Sequence, residues 1–263
     1  MVKKRVSSGS SGIIDFVKTI IYALVLAGLI RTLLFQPFWI PSGSMKPNLL
    51  VGDFIFVNKF AYGYSRHSCP FSLCPIKNRV FGSEPTRGDI VVFRHPTNGK
   101  DFVKRLIGLP GDKVRLKQGR VYLNGNLIPI QKIDDFQEEK QKQGPLGSVP
   151  RCSNEPVPFG LDCLKNQFSE SLPNKISYSI LDIGENFGDN TPEFKVPEGS
   201  YFFLGDNRDN SLDSRFGTIS GGAGFIPKGN LIGRVDRVMF SSAGRSMFFF
   251  WTWRLDRFLK ATS

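Results

Sequence analysis

The chain has very few of the residues that most often bind metals or act as bases. Its 263 residues include two histidines and four cysteines. Cys69 and Cys74 are four residues apart in the count between them, and Cys152 and Cys163 ten. Neither spacing is the two-residue gap of a zinc ribbon, and only His67 and His95 remain to add ligands. The same shortage bears on acyl transfer, because a Ser-His-Asp enzyme needs one well-placed histidine. His67 lies between Arg66 and Ser68 in a loop, and His95 begins a turn. Neither stands on a clear buried strand, although counting alone does not exclude His95. Long apolar runs are scarcer still. There is one, over 13–35, with no second long helical pattern and no internal repeat.

Acidic residues are also in deficit, at 23 against 35 Lys and Arg, for a net charge of +12. Such an excess invites a nucleic-acid reading, so its distribution matters. Residues 1–35 carry +4, 36–100 carry +5, 101–143 carry +3, 144–200 carry −4 and 201–263 carry +4. The basic ends are also the most apolar or aromatic parts of the chain, which points to a membrane surface and not to nucleic acid. Charged residues make up 22% of the chain, too few for a disordered polyelectrolyte. The length suits one or two domains with ample core.

The run over 13–35 reads IIDFVKTIIYALVLAGLIRTLLF. As a helix it would extend about 35 Å, enough to cross a bilayer with some tilt. Lys18 and Arg31 stand near its ends, where basic side chains can snorkel. Lys3, Lys4 and Arg5 precede it, and the next bases beyond it are Lys46 and Lys59. That bias predicts a cytoplasmic N-terminus and an external body. A cleaved signal peptide fits less well, because apolar residues continue past Val25-Leu26-Ala27 with no polar region before it. A buried soluble helix is the other alternative. An external body would permit disulfides, so local disulfides and free thiols both stay open for the cysteines.

Beyond the run the pattern is of short strands and tight turns. Strands are predicted over 51–57, 89–93, 102–109, 113–117, 120–123, 126–128, 201–204 and 230–240, several separated by Gly, Pro or Asn turns. The class is therefore mainly β with one membrane helix. Residues 129–200 are polar and acidic, and read as a surface insertion more than as core.

Three segments carry chemistry. In Ile40-Pro41-Ser42-Gly43-Ser44-Met45-Lys46-Pro47, the prolines prevent a helix and Gly43 allows a sharp turn between two serines. Such a turn can expose a hydroxyl beside its own N–H, the pairing that acyl transfer needs. A solvated Ser/Gly turn would look the same. In Phe102-Val103-Lys104-Arg105-Leu106, a strand puts Lys104 on one face with Phe102 and Leu106. Apolar neighbours lower an ammonium pKa, and a lysine at about 10.4 has only about one molecule in 2,500 neutral at pH 7. A snorkelling edge lysine is the plain alternative. The third segment, 205–217, is dense in Asp, Asn, Arg and Ser, which suits either a solvated loop or a polar scaffold around a site.

In order and spacing these segments resemble the bacterial type I signal peptidases, membrane-bound Ser/Lys proteases that remove signal peptides from exported proteins. The resemblance rests on Ser-Gly-Ser-Met, Arg-Gly-Asp-Ile-Val-Val, Lys-Arg with Gly-Leu-Pro-Gly-Asp, and Gly-Asp-Asn-Arg-Asp-Asn-Ser, and covers most of the chain outside 129–200. It implies Ser44 as nucleophile and Lys104 as general base. It implies an oxyanion hole of the Ser42 hydroxyl and the Ser44 N–H. It implies Ser211 as a hydrogen-bonding orienter of the lysine, Asp213 with Arg215 as a structural ion pair, and Asp206 with Arg105 as another. Phe38, Ile40, Met45, Leu49 and Val103 match positions lining shallow pockets for small residues at −1 and −3 of the substrate. No cofactor and no metal is implied. The partners are signal-peptide-bearing preproteins and the phospholipid bilayer, not nucleic acid, and the enzyme is expected to be a monomer in the bacterial cytoplasmic membrane with its catalytic part on the outer side. Some relatives have two N-terminal spans where this chain has one, and no disulfide is carried over.

The expected organisation is a cytoplasmic tail over 1–12, an anchor over 13–35, a catalytic β domain over 36–113 and 197–243, an insertion or cap over 114–196, and an aromatic, basic interfacial tail over 244–263. The rivals are a membrane-anchored binding domain that does not cleave, a self-cleaving repressor-type protease and a specialised maturation peptidase.

Overall fold

The structure is a computed structural model that describes residues 10–33, 35–64, 79–244 and 249–262. His67, Cys69, Cys74 and Phe248 lie outside the described residues. The first element is a helix, α1 (Ser10–Leu33), where the anchor was expected. Ile13, Phe16, Tyr22 and Leu24 along it are all about two-thirds exposed. Among the described residues, no helix is long and apolar enough to cross a membrane.

The body is mainly β. An antiparallel sheet is built from β1 (Phe35–Trp39), β2 (Asp53–Asn58), β3 (Ile90–Arg94) and β4 (Asp101–Gly108), which the sequence predicted closely from β2 onward. A four-stranded sheet holds β5 (Lys113–Lys117), β6 (Arg120–Leu123), β7 (Asn126–Leu127) and β13 (Phe194–Lys195). Between them in sequence come β8 (Ile130–Lys132), β11 (Gln167–Ser171) and β12 (Ser177–Leu181) in one small sheet, and β9 (Phe136–Glu139) with β10 (Asp162–Lys165) in another. β14 (Ser200–Leu204), β15 (Ile226–Pro227), β16 (Leu231–Ser241) and β17 (Lys260–Ala261) return to the main sheet. Its order is β1-β2-β16-β3-β4-β14-β15, with β17 on β16.

Alternation explains these elements. In β2, Asp53, Ile55 and Val57 are buried while the residues between are partly exposed; in β5, Val114 and Leu116 are buried between exposed neighbours. One core packs Ile40, Met45, Leu49, Ile55, Val92 and Val235. A second packs Val91, Phe93, Leu106, Tyr201 and Phe203.

The stretch over 129–200 is not simply a surface excursion. Leu172, Tyr178, Ile180 and Val196 join Ile107 of β4 and Phe202 and Leu204 of β14 in a third buried core. Its polar composition conceals this, because the apolar positions are few and well separated. Cys152 and Cys163 form a disulfide within this stretch, with 5.1 Å between their Cα atoms. The tail is docked as well: β17 pairs with β16, and Trp253 packs edge-on against Phe240. Phe250, Trp251 and Leu255 stay exposed.

Candidate active site

Ser44 sits in the turn between β1 and β2. Lys46 N–H donates to Gly43 O at 3.3 Å and Leu49 N–H to Met45 O at 2.9 Å, curling the chain back. Lys104 sits within β4, which β3 and β14 flank on its two sides. The two residues meet across 60 positions: Lys104 Nζ lies 2.6 Å from Ser44 Oγ. Both are buried, at 5% and 8% exposure. The Phe102 ring is 5.6 Å from the Lys104 ammonium, the apolar neighbour expected from the strand pattern. Burial lowers the Lys104 pKa to about 8, against the opposing pull of Asp213 and Asp206. At that value roughly one lysine in ten is neutral at pH 7.

The segment 205–217 clasps the serine turn from below. Asn207 N–H donates to Ser44 O and its side chain donates to Gly43 O, each at 3.0 Å. Gly205 is required by the closeness of the approach: a Cβ there would sit 2.2 Å from Ser211 Oγ and 2.7 Å from Ser44 O. Both expected ion pairs are present. Arg105 grips Asp206 through two bonds of 2.8 Å and stacks over Tyr178. Arg215 grips Asp213 at 2.8 and 3.0 Å. Burial alone would raise the Asp213 pKa, but the Arg215 guanidinium holds it below the usual range. The Gly205 N–H also donates to Asp213 Oδ2, so this carboxylate supports the loop under the dyad.

Ser211 departs from expectation. It is buried in the same cleft, but Lys104 Nζ bonds Ser44 and the Val103 carbonyl and not Ser211. Ser211 Oγ has no hydrogen-bond partner of good geometry, although it approaches the Asp213 carboxylate closely enough to help lower its pKa.

A cavity of about 690 Å³ opens over the dyad. Ser42, Phe38, Ile40, Met45 and Val103 line it beside Ser44 and Lys104. Leu49 does not: it is fully buried in the core with Ile55 and Val57, because an apolar side chain beyond the turn points to the sheet and not to the cleft. Ser42 is exposed, and neither its hydroxyl nor the Ser44 N–H is claimed by another described group.

His95 is excluded from the chemistry. It is buried behind the cleft lining, with Nε2 on Gly222 O at 2.8 Å and its ring against the back of Phe102. Among the described residues, no group of three or more His, Cys, Asp or Glu converges as metal ligands would.

The sequence reading missed two supports. Lys46, two residues past Ser44, is buried and bonds Glu138 of β9 and Gln143 Oε1, the latter at 2.6 Å. Arg257 grips Asp53 at 2.6 and 3.0 Å and donates to Asn48 O, bracing the other end of the same turn.

Residues 13–240 match the family described as "Signal peptidase, peptidase S26". The chain belongs to that family. The signal peptidase I of Rickettsia typhi is 40% identical over 231 residues, covering 84% of this chain and 78% of the relative. That of Rickettsia canadensis is 39% identical over 235 residues, covering 86% and 79%. A crystal structure of an Enterococcus faecalis signal peptidase I is 25% identical, covers 58% of this chain and 97% of its own, and has a TM-score of 0.30. Peptidase S26 membership and these relatives make the chain a type I signal peptidase and a serine endopeptidase, which sets aside a domain that binds without cleaving.

Proposed function

We propose that Ser44 is the nucleophile and Lys104 the general base of this peptidase. The observation that carries the proposal is the 2.6 Å approach of a buried lysine to a buried serine, with no carboxylate among the described residues in ion-pair contact with that lysine. Neutral Lys104 accepts the Ser44 hydroxyl proton as Oγ attacks the carbonyl after the signal peptide's −1 residue. The Ser44 N–H and the Ser42 hydroxyl hold the oxyanion, each donor being worth about 3–4 kcal/mol in related chemistry. The tetrahedral adduct collapses, Lys104 returns the proton to the leaving amine, and the mature protein departs. Lys104 then takes a proton from water as the water oxygen attacks the ester, and returns it to Ser44 Oγ as the ester bond breaks and the signal peptide leaves with a new carboxyl group. Phe38, Ile40, Met45 and Val103 shape the pockets for the small −3 and −1 side chains.

α1 serves as the membrane anchor, with the N-terminus in the cytoplasm and the β body outside. Its exposed apolar side chains and the basic residues before it support this reading. Few residues separate Phe35 from Ser44, so the cleft stays near the bilayer surface. The exposed Phe250, Trp251 and Leu255 suit the interface as aromatic and apolar anchors.

Mass spectrometry of preprotein cleavage in detergent tests the dyad. The wild type releases a product cut after a small residue, and Ser44→Ala releases none; normal cleavage by Ser44→Ala defeats the assignment. For the tail, Phe250→Ala with Trp251→Ala weakens liposome association without loss of folding. Unchanged association removes its interfacial role.

A further inference from the structure

The charged groups of the cleft do not balance. Asp101 is committed to Arg94 at 2.6 Å. The Asp209 carboxylate is taken by the Ile183 N–H and the Asn186 side chain. Arg208 is committed to Glu170, and Arg215 to Asp213. Lys100 also lines the cavity, exposed and with no ion pair among the described residues, on the turn between β3 and β4; Arg151 shares that freedom but is anchored. It is exposed, lines the same cavity as Ser44 and Lys104, and has no carboxylate partner among the described residues. One N–H, from Nη1, donates to the backbone carbonyl of Asp209 at 2.9 Å. A guanidinium has five donors, so most remain available.

Arg151 is also held where it stands. It belongs to the loop 143–152, which is pinned at both ends. At one end Gln143 accepts from buried Lys46 at 2.6 Å, and its backbone pairs with Ser148. Gly144 there lies so close to Val51 that a Cβ would come within 2.6 Å of its side chain. At the other end Cys152, next to Arg151, is tied to Cys163. Leu146 of the same loop lines the cavity and is 67% exposed. The insertion thus forms one wall of the cleft and fixes an uncommitted cation in it.

We propose that Arg151 is a specificity-determining residue, which favours preproteins with an acidic side chain close to the cleaved bond. This rests on the reading of Ser44 and Lys104 as the dyad. A partly exposed ion pair is worth little, so the preference is modest, about two- to fivefold in kcat/KM. It shrinks as salt is raised.

The test is competition between peptides that differ only by Asp or Lys, placed at each flanking position in turn, cleaved by the full chain in detergent. The wild type favours Asp at one position or more by about two- to fivefold. Arg151→Glu reverses the preference at that same position, and Arg151→Lys keeps its direction. The comparison is a ratio within one enzyme, so a fall in folded protein cancels. An Asp-to-Lys ratio that is the same in wild type and Arg151→Glu at every position overturns the proposal. Ser44→Ala is run alongside. Cleavage by that variant would refute the dyad and would leave the charge ratio to be judged separately.

Discussion

One buried lysine meets the nucleophile from 60 positions away and another stands two residues beyond it, and their surroundings give them different work. Lys104 and Lys46 each have a pKa lowered to about 8, with burial as the leading cause. Lys104 faces a hydroxyl, and the carboxylates that act on it, Asp213 and Asp206, are already gripped by arginines. Lys46 faces Glu138, which also holds Lys165 at 2.6 Å. Burial alone would raise the Glu138 pKa, but the two lysines outweigh it and hold the carboxylate low. A lysine with a committed carboxylate is a strut. A lysine whose neighbours' charges are already committed keeps a lone pair for chemistry.

The sharpest way to break this comparison is to remove each amine in turn. Lys104→Met should lower kcat by about 10²- to 10⁴-fold, the usual worth of a general base, while leaving the fold intact in a thermal melt. If Lys46→Met does equal damage to kcat, the distinction is lost. Next in size is Glu138→Gln, which leaves two buried ammonium groups without their counter-charge. Loss of one partner from a buried charge cluster costs about 3–5 kcal/mol, to be read from denaturant unfolding. No loss there would mean that the cluster is well solvated.

The pH dependence sharpens the comparison further. Activity should rise about tenfold from pH 7 to pH 9 as Lys104 loses its proton, since its pKa is about 8. Lys46→Met should leave that profile in place. Stability behaves differently. Both lysines have folded values of about 8 against an ordinary 10.5. Between those values the unfolded chain binds more protons, so stability rises with pH over about 8 to 10.5. Either lysine's removal should flatten that slope. The smallest effect is that of Lys46→Met on activity at fixed pH, less than about tenfold. An apolar side chain of similar length can replace a buried ion with little net cost, and Glu138 keeps Lys165.

The contrast also marks how far the sequence could be read. Strands β2, β3, β4, β14 and β16 were legible as local alternations, whereas β1, β15 and β17 were not, and the serine turn and Lys104 were candidates whose roles came through the resemblance. The ion pairs at Arg105 and Arg215 came through the resemblance alone. Lys46 was hidden because its partner Glu138 is 92 positions away, and nothing local distinguishes a paired lysine from a free one. Arg257 was hidden for the same reason, 204 positions from Asp53. Leu49 was misplaced because chain direction after the turn decides whether an apolar residue meets cleft or core. The insertion's share in the core was masked by its polar average.

The clasp of Asn207 on Ser44 O joins positions 163 apart. That separation has a meaning in time. At ribosomal rates of about 5–20 residues per second, the clasp is made on the order of ten to thirty seconds after the serine turn. Lys104 emerges much sooner, yet the backbone that holds Ser44 is still missing. A half-synthesised chain therefore carries both the serine and the lysine before it carries the loop that secures the serine turn beside them.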